Sequence, residues 1–212
     1  MRTVFEFREV EVGPLAWSST GNAYAEHCDA AARGAGGALY GVWAGQIGLD
    51  RDQGIVMTAW DDLDAAKHHG GNVTTMPGVE TGPPTYLQST VRPRADEQPD
   101  APGFYAHRWF ELPEQSWEEF LELSDSAWPS MEEAVDAQIL GFWRTLEHEH
   151  DAAFRVLLLT RYATLNDWER SRWWGRPDPS AQDAMERFRR RTELVQRSRV
   201  VISTLPAERV RS

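Results

Sequence analysis

The sequence predicts an α+β protein of two tandem βαββαβ halves, whose sheets meet as an α/β barrel with the helices outside. Three observations predict it. First, the second half repeats the layout of the first at a shift of about one hundred residues: Arg8 and Glu11 return as Arg108 and Glu111, and Gly41-Val42-Trp43 returns as Gly141-Phe142-Trp143. Met57-Thr58-Ala59-Trp60-Asp61-Asp62-Leu63 likewise returns as Leu159-Thr160-Arg161-Tyr162-Ala163-Thr164-Leu165, with the shift grown by a short insertion. Second, each half alternates strand-period with helix-period segments in the same order. Third, residues 93–103 hold three prolines and no large apolar side chain, which marks an exposed connection between residues 1–92 and 104–212.

In the first half a strand over residues 3–12 is ended by Gly13-Pro14, and a helix around 22–33, with Tyr24, Cys28 and Ala31 at helical spacing, is closed by Gly34. Residues 38–44 and 55–60 read as a hairpin around the turn at Asp50-Arg51-Asp52-Gln53-Gly54. A short helix from Asp62 breaks at Gly70-Gly71, and a last strand runs from Thr85 to Arg92. In the second half a strand begins at Phe104, and Ser116-Trp117-Glu118-Glu119 has the spacing of a capping box. Trp117, Phe120, Leu121 and Ser124 form the inward stripe of the helix it starts. Pro129 interrupts that helix and Ser130-Met131-Glu132-Glu133 restarts it. An apolar strand over 154–162, helices over 164–174 and 180–198, and a closing strand over 199–205 complete the half.

A βαββαβ unit makes an antiparallel sheet with both helices on one face, so its other face needs a cover. Two such sheets, packed open face to open face, enclose a lumen. At 212 residues, with 41% hydrophobic and 26% charged residues, the chain can bury a sizeable core. Its net charge of -11 opposes nucleic-acid binding. The arginines at 187, 189, 190, 191, 197 and 199 read as the solvated side of a helix. A single cysteine, Cys28, requires no oxidising compartment, and neither a secretory leader nor a membrane span is expected, so a cytoplasmic protein is expected. Ten tryptophans supply core or pocket walls.

The element order, Phe5-Glu6-Phe7-Arg8-Glu9-Val10 and Tyr105-Ala106-His107-Arg108-Trp109-Phe110 in the first strands, and Trp60-Asp61-Asp62-Leu63 and Tyr162-Ala163-Thr164-Leu165 after the third resemble the dimeric α/β barrel superfamily of ferredoxin-like repeats, and within it the NIPSNAP-like proteins. The resemblance implies a small-molecule enzyme, a cofactor-independent oxygenase or a cyclase, on a hydrophobic, aromatic or polyketide-like substrate. Two other outcomes are compatible with it: a non-catalytic NIPSNAP-like binding protein, and a haem enzyme using His68, His69 or His107 as axial ligand. No cofactor is otherwise expected, and a homodimer is a possible assembly.

The candidate site follows from the choice of strand face. Burying Glu6 and Arg8 under helices would strip two charges of water, so that face is expected to look into the lumen, with Arg108 and Phe110 beside it. Thr58, Trp60, Thr160 and Tyr162 form the matching face of the third strands. The pocket is then lined by Trp60, Phe110 and Tyr162 and charged by Glu6, Arg8 and Arg108, an excess of positive charge suited to an anionic or enolate-forming ligand. A structural Glu6 ion pair reads equally well from the same residues. His107 is the competing focus, a base beside Tyr105, or a hydrogen-bonded core histidine under the helices. His148-Glu149-His150 puts two imidazoles on one strand face with no third ligand evident.

Overall fold

A computed structural model of the chain describes residues 2–94, 98–146, 154–172 and 182–206. Strand β1 (Val4–Val12) leads to helix α1 (Trp17–Gly34), the hairpin β2 (Ala38–Ile47) and β3 (Gln53–Trp60), helix α2 (Leu63–Thr74), the short β4 (Val79–Thr81) and β5 (Thr85–Arg92). The second half runs β6 (Phe104–Leu112), α3 (Trp117–Ala134), β7 (Ala137–Thr145), β8 (Phe154–Tyr162), α4 (Leu165–Arg170), α5 (Gln182–Glu193) and β9 (Arg197–Thr204).

All strand pairs are antiparallel. In the first half β5 pairs β1, β1 pairs β3 and β3 pairs β2; in the second β9 pairs β6, β6 pairs β8 and β8 pairs β7. Two seams, β2 with β9 and β5 with β7, join these sheets edge to edge and close a barrel of eight strands within one chain. The remaining strand, β4, extends the end of β1. Among the described residues, closure leaves no long unpaired edge for a second copy to complete.

An eight-stranded barrel is just wide enough for side chains to fill. Phe5, Phe7, Trp43, Met57, Leu87, Tyr105, Trp143, Leu157, Leu159 and Val201, drawn from every barrel strand, pack as one buried cluster. Contacts between strands on opposite walls identify this face as the lumen: Phe7 meets Trp109 with centroids 5.2 Å apart, and Tyr40 meets Trp143 at 5.5 Å. Alternation then puts Val4, Glu6, Arg8 and Val10 on the outer face, under α1 and α2, where Val4 packs with Ala32, Ala66 and Val73.

Most predicted strands are found within one or two residues of their expected ends, and the helices differ more: α5 ends at Glu193 where the sequence carries it to residue 198, because β9 already begins at Arg197 and pairs with β6. Helix α1 starts at Trp17 without a side-chain cap, several residues before the expected start, because packing of Gly21 against Trp17 and Pro206 outweighs the weak helix propensity of this turn. Helix α2 runs through Gly70-Gly71 instead of breaking there. A Cβ on Gly70 would lie 1.4 Å from Glu6 Oε2, so the glycine is the space into which that carboxylate fits. Helix α3 is continuous past Pro129, and Ser116 makes no side-chain cap bond because a 3₁₀ turn over Glu114–Ser116 precedes it. No helix of the described residues is long and apolar enough to cross a membrane.

Candidate functional site

The expected lumen site is corrected by this geometry. Glu6, Arg8, Thr58, Trp60, Arg108, Phe110, Thr160 and Tyr162 all occupy the outer face, and the lumen is a packed aromatic core. The expectation weighed the charges alone; the narrow lumen instead selects the bulky residues of the other face, while the outer layer offers charges backbone oxygens and partial hydration. Arg8 shows this, since its side chain is 12% exposed, pairs with Glu6 and donates from Nη1 to Gly82 O at 2.9 Å.

The two halves use their outer faces differently. Over β1 and β3, small residues of α1 and α2 close down on the sheet. Trp60 is fully buried, donates from Nε1 to Thr58 Oγ1 at 2.9 Å and stacks on His69 at 5.9 Å. Glu6 is buried beneath Gly70; burial lifts its carboxyl above the ordinary carboxylate range, and Arg8 pulls it back. The Glu6–Arg8 pair is therefore an ion pair inside a packed layer.

Over β6 and β8 the helices stand off and leave a cavity of about 190 Å³. Arg108, Phe110, Thr160 and Tyr162 line it, joined by Trp128 and Met131 of α3, by Phe188 and Arg191 of α5, and by Ser171 and Arg172 after α4. Three guanidinium groups thus face a space otherwise lined by apolar and hydroxyl-bearing side chains, and no carboxylate or imidazole lines it among the described residues. Arg108 has no hydrogen-bond or ion-pair partner among the described residues. Burial holds its pKa below the usual arginine value, as does Arg172 nearby. Arg191 is lowered further, to about 10, by burial and then by Arg108. It is also the most fixed of the three. Its guanidinium lies 5.0 to 5.5 Å from the rings of Phe110, Phe120 and Phe188, and Nη1 donates to Ser124 Oγ at 3.3 Å. Tyr162 places its hydroxyl 3.3 Å from Ser171 Oγ.

Sequence reasoning missed Arg191, Arg172 and Ser124 as site residues. The arginines of α5 were read together as solvated, and Arg190 does pair outward with Glu119, at 2.6 Å. Arg191 differs because Phe188, Arg191, Thr192 and Val195 follow helical spacing, which puts a cation on an apolar stripe. That spacing was the available signal.

His107 lies in the lumen and not under the helices. It is fully buried, 4.9 Å from Trp43, with Nε2 3.0 Å from Ser203 Oγ. Ser203 Oγ donates to Tyr105 O, so it accepts from the His107 Nε2–H, and Nδ1 carries a lone pair without a partner among the described residues. Burial lowers the His107 pKa to about 3, so the ring is neutral. His148-Glu149-His150 lies outside the described residues, among which no group of three or more metal-ligating side chains occurs.

The two ends of the barrel form wider hollows of about 320 and 450 Å³. Of their arginines, Arg92 pairs with Glu132, Arg161 pairs with Asp136, and Arg155 lies over the Trp109 ring at 5.0 Å. Asp100 lines the first hollow and Glu9 and Glu111 the second, whereas the cavity over β6 and β8 has arginines and no carboxylate in its lining among the described residues.

The same architecture recurs in solved structures. A candidate monooxygenase from Fusobacterium nucleatum superposes with a TM-score of 0.62 over 97% of this chain and 93% of its own, at 12% identity. An anthrone oxidase-like protein gives 0.60 over 97% and 92% at 11% identity, and a point variant of chlorite dismutase from Candidatus Nitrospira defluvii gives 0.57 over 96% and 90% at 8%. The chain shares its fold with these proteins. At these identities the likeness establishes the fold and nothing finer. No protein-family model and no curated protein matches the sequence.

Haem, one of the outcomes the sequence left open, does not fit the cavity over β6 and β8. The cavity of about 190 Å³ is smaller than the about 300–1,000 Å³ of pockets that hold drug-sized ligands, and it offers no histidine among the described residues. His107 is enclosed by Phe7, Trp43 and Ser203, and His69 lies flat on Trp60.

Proposed function

We propose that the protein is a small-molecule enzyme of the cofactor-independent oxygenase or cyclase type, acting on a hydrophobic substrate that carries or develops negative charge. The substrate lies between the barrel wall and α3 and α5, against Arg108, and not in the lumen. The observation that carries this reading is the set of three guanidiniums around an aromatic-walled cavity that no carboxylate lines among the described residues. In an acidic protein such a set is not explained by fold stability, since Arg108 and Arg191 are like charges partly withdrawn from water beside one another, which costs free energy. Donors waiting where an oxyanion forms act most strongly in a site of low polarity. Arg108 holds the carbonyl oxygen of the keto form and stabilises the charge that develops on it as the adjoining C–H gives its proton to water, so that one C–H bond breaks and an enolate forms. In the oxygenase form the resulting carbanion reduces dioxygen. A CH₂ group and O₂ become a carbonyl group and one water, so that the substrate carbon is oxidised and no external reductant is consumed.

The absence of Asp, Glu and His from the lining among the described residues favours one alternative, a binding protein of the NIPSNAP-like kind that holds an anion without turning it over. The resemblance between the halves supports a further part of the reading, that they are tandem ferredoxin-like repeats of which the second kept the site. The test is Arg108→Gln. With an enolisable aromatic ketone, oxygen consumption should fall about a hundredfold or more, the range found when one oxyanion donor is lost, while the melting temperature changes little. Loss of stability with unchanged turnover, or no turnover by the unmodified protein, sinks the enzymatic reading.

A further inference from the structure

We infer that the ligand of this cavity is a flat aromatic anion of one or two rings, its single ionised oxygen group directed to Arg108. This inference rests on the proposed function and narrows its substrate class. Size is the first ground. At about 190 Å³ the space is below the about 300 Å³ at which pockets begin to accept drug-sized molecules, so one or two rings fill it and a third lies outside it. Shape is the second. Phe110, Trp128 and Phe188 line the space with aromatic rings, beside which a planar ligand packs.

Charge is the third ground, and here the arginines divide the work. Arg191 is already committed, held to Ser124 Oγ and enclosed by Phe110, Phe120 and Phe188. Ser124 is fully buried and itself anchored to Phe120 O at 2.7 Å, so Arg191 acts as a fixed positive background. Arg108 lacks a partner among the described residues and is the group able to turn to a ligand. One available guanidinium matches one anionic group. A carboxylate and a phenolate share the chemistry this requires, and Ser124 is a positioning residue that acts through Arg191.

Titration calorimetry on the full chain tests this with named probes: naphthoate, its methyl ester, an ionised hydroxynaphthoquinone and anthracene carboxylate. Naphthoate or the hydroxynaphthoquinone should bind, and whichever binds more tightly identifies the oxygen group. The ester should bind about tenfold to a hundredfold more weakly than the acid, as the loss of a charge-assisted hydrogen bond implies. Anthracene carboxylate should bind at least tenfold more weakly than naphthoate. Arg108→Gln should remove the preference for acid over ester. Equal binding of the two-ring and three-ring acids overturns the size limit and leaves the anion reading standing. Equal binding of acid and ester by the unmodified protein, a comparison that needs no variant to fold, overturns both, as does failure of every probe to bind.

Discussion

At the scale of the residue, the two strands that open the halves place different side chains in the same surroundings. Phe7 and His107 are matched by the shift of one hundred, and both point into the lumen, where their rings lie 6.4 Å apart. An imidazole in so apolar a place stays neutral, and its pKa of about 3 against an ordinary 6.5 makes it a stability term that depends on pH. The folded state binds the proton less readily than the unfolded chain, so this contribution is complete above pH 6.5 and declines as the pH falls towards 3. The limiting slope for one group is about 1.4 kcal/mol per pH unit. His107→Phe, which installs the residue of the matching position, should flatten the acid limb of the melting temperature plotted against pH. A variant whose acid limb stays as steep as that of the parent would show that His107 does not carry it. Legibility at this scale was partial. Arg108, Phe110, Thr160 and Tyr162 were found from strand pattern and do share a cavity, whereas Glu6, Arg8, Thr58 and Trp60 belong to a closed layer on the other side of the barrel.

At the scale of the element, the paired Gly-x-Trp segments have a packing reason. Gly41 and Gly141 each sit beside a register shift in β2 and β7, and the indole two residues on folds over the glycine. A Cβ at Gly141 would lie 1.8 Å from the Trp143 ring, and one at Gly41 would lie 2.3 Å from the Trp43 ring. Gly141→Ala should therefore force a buried indole from its place and cost about 1–3 kcal/mol, read as a lower urea midpoint; an unchanged midpoint would mean that the strand yields freely. The strands were legible because alternation and glycine turns are local signals. Helix ends were less so. Gly70-Gly71 reads as a break by propensity, yet Gly70 continues α2 because a carboxylate from a strand sixty-odd residues away needs its empty side.

At the scale of the whole molecule, the lumen core belongs to neither half alone. Phe5, Phe7 and Met57 meet Tyr105, Trp143 and Leu159, and the seams β2–β9 and β5–β7 exist only when both sheets are present. Residues 1–94 or 98–212 expressed separately should then expose two strand edges and half of an apolar lumen, and should fail to show the single cooperative thermal transition expected of the full chain. A fragment that melts cooperatively as a monomer would contradict this and favour independent folding of the halves.

By itself the sequence determined the order of strands and helices, the correspondence of the halves and the existence of two faces on every strand, because each of these is written in spacing along the chain. Only the tertiary structure decided which face turned inward and where positive charge gathered around a cavity. Both faces of these strands are largely apolar, so the choice depended on the width of a closed eight-stranded barrel and on how closely each helix could approach. Small residues brought α2 down onto β1, and the larger side chains of α3 and α5 left room beside Arg108.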